Sequence, residues 1–64
     1  MTTYTFIPED EDAEPITVKA RGWKAAITKA LGHDDWHAWN TMGYMMVHRF
    51  STGELLGEIR EVSQ

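Results

Sequence analysis

The side chains best suited to chemistry in this 64-residue chain are His33, Asp34, Asp35 and His37, which fall within one pentapeptide, and His48 further on. On a helix, His33 and His37 would share a face at i and i+4, the arrangement of two zinc ligands. No Glu follows the first His, so the metalloprotease pattern is missing, and a third ligand would have to come from His48 or from an acidic segment upstream. The competing expectation is a polar, capped turn between two elements, and it is preferred here: no metal and no cofactor is assigned. As a general base, His48 would need an acid or a nucleophile within hydrogen-bond reach. Asp35, Ser51 and Thr52 are available by type, but their spacing carries no signal. No catalytic residue is assigned, and a non-enzymatic protein is expected. So short a chain also has little room for a pocket of ~300 Å³ or more.

Charge is distributed more tellingly. Five of the ten acids, Glu9, Asp10, Glu11, Asp12 and Glu14, lie between Pro8 and Pro15. Lys19, Arg21, Lys24 and Lys29, four of the six basic residues, come next. The acidic run lacks the alternating ligands and central Gly of an EF-hand, so calcium is a minor alternative. It is either a solvated loop or a patch for a basic protein surface such as the nucleic-acid channel of a polymerase or nuclease. The basic residues could contact phosphates beside an exposed Trp, which makes a nucleic-acid-binding module the runner-up. Lys24 and Lys29, however, would stand about 140° apart around a helix and form no tight stripe. Trp36 and Trp39 are more ring than so short a connection can bury, and an exposed Trp suits a binding hot spot.

Composition narrows the classes further. There is no cysteine, which removes disulfides, thiolate metal sites and thiol nucleophiles together. The net charge of −4 argues against a general nucleic-acid binder. No apolar run nears the ~20 residues of a membrane span, and the first residues do not form a leader. A cytoplasmic protein without membrane partner is expected. Three Trp, two Tyr, two Phe and four Met supply a core for a small domain. The cluster Met42, Met45 and Met46 also leaves open a homodimer, or a structural subunit that buries this surface on its own copies.

These residues need elements to hold them. Tyr4 and Phe6, then Ile16, Val18 and Ala20, alternate with polar residues and predict strands at about 3–7 and 16–20. The intervening acidic loop, 8–15, is longer than the two to five residues a hairpin favours. Trp23, Ala26, Ile27, Ala30 and Leu31 share one helical face and predict a helix over about 21–31, with Gly32 as a left-handed cap. Asp34 could cap a short extra helical turn near 34–40, broken by Gly43; an irregular aromatic plug is the alternative. Strands are predicted at about 44–50 and 54–62, joined by a turn with Gly53 at positive φ, and Gly57 marks a bulge or a close neighbour. The expectation is a single α+β domain over 1–64: β-β-α-β-β, one main helix on a small antiparallel sheet.

From Tyr4 to Leu31 the chain reads as a strand, a charged loop, then Pro15-Ile-Thr-Val-Lys-Ala-Arg-Gly-Trp-Lys-Ala-Ala-Ile-Thr-Lys-Ala-Leu31. With Ala20 closing the strand and Ala25, Ala26 and Ala30 in the helix, this resembles small phage-encoded regulators that inhibit bacterial RNA polymerase. The resemblance covers under half the chain and implies a protein-binding regulator acting in a host cytoplasm. The helix is basic here, where that type tends to be acidic, so no contact residue is carried over. Together with the charge pattern it leads to one expectation: a small regulatory protein whose Glu9, Asp10, Glu11, Asp12 and Glu14, with Trp36 or Trp39 as apolar anchor, engage a basic partner.

Overall fold

Tyr4 and Phe6 sink into the core while Thr5 and Ile7 face outward, so the first strand has the period of a half-buried β-strand. In the computed structural model, which describes residues 1–41 and 44–62, this strand is β1 (Thr2–Pro8). It is followed by β2 (Ile16–Ala20), α1 (Trp23–Leu31), β3 (His37–Thr41), β4 (Tyr44–His48) and β5 (Leu55–Glu61). The strands form one antiparallel sheet in the order β2-β1-β5-β4-β3, so the fold is α+β with one helix on a five-stranded sheet.

The helix lies on one side of this sheet, over β2 and β1. Its Ala26 and Ile27 are fully buried against Tyr4, Phe6, Val18 and Ala20, and Val47 and Ile59 from β4 and β5 complete the core. Trp23 meets the Tyr4 ring edge-on at 4.8 Å. Nine residues are too few for a stable isolated helix, so this burial holds α1 in place. Gly32 ends it at φ 79°, donating its N–H to Thr28 O at 2.8 Å. The helix begins two residues later than expected, because Gly22 is extended.

Cross-strand partners share a face, which fixes what the other side of the sheet carries. Thr5 stands opposite Thr17 and Arg60, Ile7 and Met46 opposite Glu58, Trp39 opposite Met46, and His37 opposite His48. Among the described residues no helix covers this open face. Gly57 belongs to the helix side, at a bulge where the β4–β5 register shifts between Val47 and His48. Its φ is +152°, and a Cβ there would stand 2.3 Å from the Ile7 carbonyl oxygen and 2.9 Å from the Phe6 ring. The close neighbours are therefore the Ile7 backbone and the Phe6 ring, both on β1.

The segment 34–40 is not helical. From His37 on it becomes β3, because His37 and Trp39 alternate with Ala38 and Asn40 and the free edge of β4 offers a partner strand. The order is thus β-β-α-β-β-β, and the strand expected over 44–50 stops at His48, leaving Phe50 in the turn. Met42 and Gly43 lie outside the described residues. Among those described, no helix is long and apolar enough to cross a membrane.

Candidate functional site

Strand pairing on the open face brings an aromatic and imidazole cluster together. His37 and His48 are opposite one another across β3 and β4, with ring centroids 6.0 Å apart. The Trp39 indole packs edge-on to both, at 4.2 Å from His37 and 4.7 Å from His48. Phe50 closes the other side, edge-on to His37 at 5.8 Å. Trp39 keeps 54% of its surface in solvent and Phe50 72%, which is unusual for large rings in so small a protein.

Asp35 sets the position of Phe50. Its carboxylate accepts the Ser51 hydroxyl at 2.7 Å and the Ser51 N–H at 3.0 Å, and its carbonyl accepts the Phe50 N–H at 3.3 Å. The Ser51 hydroxyl is the main reason its pKa is lowered; the Ser51 amide, Arg49 and His33 add to this, and partial burial opposes it. Arg49 bridges Asp35 at 3.7 Å and Glu54 at 3.5 Å. A second arginine, Arg60, lies over the Tyr44 ring at 4.9 Å and is paired with Glu58 at 2.7 Å. Both arginines near this face are thus already matched by carboxylates.

The residues singled out by type do not assemble into a reaction centre. The Ser51 hydroxyl donates to Asp35 and not to His48, whose Nδ1 is buried without a hydrogen-bond partner. The Nδ1 of His33 accepts the Asp35 N–H at 3.0 Å, and His37 sits on a strand, so the i and i+4 helical pair does not form. Among the described residues no group of three or more His, Cys, Asp or Glu could hold a metal ion.

Glu9, Asp10, Glu11, Asp12 and Glu14 are all exposed in the β1–β2 loop. The Asp10 carboxylate accepts the Asp12 N–H at 3.0 Å and its carbonyl the Ala13 N–H at 3.1 Å, which folds the acids into a turn. Glu9 N–H bonds Leu56 O at 3.0 Å and pins that turn to β5. From β1 to β3 the sheet spans three strand spacings, about 14 Å. The acids and the aromatic cluster therefore fit within one interface footprint without touching.

Trp36 and Trp39 part company. Trp36 turns to the helix side, half-buried, with its indole N–H on the Thr28 hydroxyl at 3.0 Å, and only Trp39 belongs to the open face. Lys19, Arg21, Lys24 and Lys29 are all exposed but scattered: Lys19 is on the open face of β2, and Lys24 and Lys29 are on α1. Lys29 Nζ bonds the Lys19 carbonyl at 3.2 Å. Phe50, His37 and His48 join this surface without a motif of their own, although the alternation of His37 and Trp39 carries a strand signal. The chain matches no family model, no curated protein and no solved structure.

Proposed function

We propose that this chain is a non-enzymatic regulator that binds a protein through the open face of its sheet, with Trp39 and Phe50 as apolar anchors. The observation that carries this reading is the exposure of those two rings, one on each side of His37, with the Phe50 turn held by Asp35, on a face that no helix covers among the described residues. Rigid exposed aromatics flanked by neutralised charges have the composition of a binding hot spot with its rim.

Charge gives the partner its sign. Glu9 to Glu14 project five carboxylates at the same end of the sheet as Phe50, and the chain carries −4 overall. A basic protein surface is the complement, and the acids steer its approach while the rings hold it. The resemblance to phage-encoded polymerase inhibitors supplies a class of target, the basic channel of a nucleic-acid enzyme in a host cytoplasm. The nucleic-acid alternative has less support, since Arg49 and Arg60 are paired and Lys19, Arg21, Lys24 and Lys29 share no groove.

The test uses bacterial RNA polymerase as the immobilised partner and two variants of the full chain. Replacing the five acids by Ser or Asn should slow association and remove its salt dependence, whereas Trp39→Ala with Phe50→Ala should speed dissociation. Polymerase that holds neither wild type nor variant defeats the target class. Equal retention of all three chains defeats the surface. A gel shift on single-stranded DNA at low salt would instead favour the runner-up.

A further inference from the structure

The helix side of the sheet is only half roofed. Nine residues of helix cover about 13 Å, and α1 spends them on β2 and β1. Beside it, over β4 and β3, lies a groove of about 500 Å³. Ala38 and Met45 line it from the sheet, Trp23 from α1 and Trp36 from the segment before β3. Both indoles are held from behind, Trp23 by the Tyr4 ring and Trp36 by its bond to Thr28. A groove lined by two held indoles suits a flat ligand, because little side-chain entropy is lost on filling it. The small side chain of Ala38 keeps the groove open, and the Met45 thioether makes favourable contacts with ring edges.

The groove rim carries charge of both signs. Lys24 and Asp34 line it, and neither makes an ion pair among the described residues. They come from opposite ends of α1, Lys24 in its first turn and Asp34 just past its last. A ligand lying along the groove thus meets an unpaired cation at one end and an unpaired anion at the other. That pattern accepts a single negative group and rejects a second. The volume is within the range of small-molecule sites, about 300–1,000 Å³.

We propose that this groove binds a flat aromatic monocarboxylate, its fused rings between Trp23 and Trp36 and its carboxylate on Lys24. The groove opens on the helix side, since Ala38 and Trp39 point to opposite sides of β3, and of the open-face cluster it shares only His37 and neither Trp39 nor Phe50. Failure here would therefore leave the protein-binding surface untouched, and the reverse also holds.

Titrating 2-naphthoate into the ¹⁵N-labelled chain, with the three indole N–H signals as reporters, decides it. Saturable shifts of the Trp23 and Trp36 signals, with Trp39 unmoved, are expected. Lys24→Glu should weaken binding about fivefold or more, as loss of one partly exposed ion pair and its replacement by repulsion requires. Asp34→Asn should leave 2-naphthoate binding equal or tighter. Ala38→Leu, which fills the groove, should abolish it. Non-saturable shifts, shifts that include Trp39, or binding unchanged in Lys24→Glu would each overturn the proposal. Lys24→Glu changes an exposed side chain and keeps the test decisive should Ala38→Leu disturb the sheet.

Discussion

The two halves of this one sheet are built to different rules. In the β2–β1 half, buried Tyr4, Phe6, Val18 and Ala20 alternate with Thr3, Thr5, Thr17 and Lys19, and α1 covers the apolar side. In the β4–β3 half, apolar side chains appear on both sides: Trp36, Ala38 and Met45 on one, Trp39, Met46 and Phe50 on the other. A strand covered on one face needs only one apolar row to fold. The second row on β3 and β4 exceeds what folding requires, and surface of that kind is where binding is expected. Stability is concentrated in one half and recognition in the other.

Substitutions in the covered half, or where β5 meets it, should break the molecule. Gly57→Ala drives a Cβ into the Ile7 carbonyl at a positive φ, and we expect a loss on the order of 3 kcal/mol. For so small a domain that is most of its stability, and the urea midpoint would show it directly. Ile27→Ala empties a fully buried site under α1 and should cost about 2–4 kcal/mol by the same measurement. Trp39→Ala paired with Phe50→Ala should behave oppositely, lowering stability by under about 1 kcal/mol while weakening partner binding at least ~30-fold. If the double variant unfolds the chain, the division between halves is wrong.

The smallest effect concerns the mount of Phe50. The carboxyl of Asp35 titrates lower in the folded chain than in the unfolded one, so its contact with Ser51 contributes stability fully above the unfolded value, near ~3.9. That contribution is lost as pH falls through the lower folded value. The Ser51 amide signal should accordingly hold steady from neutral pH to about 4 and move only below it. Ser51→Ala should return the Asp35 titration toward the ordinary carboxylate range. An unchanged titration in that variant would mean that Ser51 is not the main cause.

The covered half was readable because its signals are local. Alternation marks β1 and β2, a one-sided apolar stripe marks α1, and Gly32 and Gly53 adopt positive φ at 79° and 77° where the pattern asks for it. Residues 34–40 resisted for a physical reason. Asp34 and the spacing of Trp36 and Trp39 fit a turn of helix locally, yet the unpaired edge of β4 is a long-range feature that only the assembled sheet reveals. The candidate surface was half legible. The acids and Trp39 stand out by type, but the mate of Trp39 is Phe50, 11 residues along, brought in by pairing and by Asp35. Trp36 looked equivalent to Trp39 until strand parity sent them to opposite sides.

The bond from Lys29 Nζ to the Lys19 carbonyl has a consequence for assembly. It places an ammonium on the outer edge of β2, where an incoming strand would need that acceptor. Among the described residues no side-chain hydrogen bond caps the corresponding edge at β3. A strand added at β2 would first have to displace that ammonium, whereas one added at β3 would not.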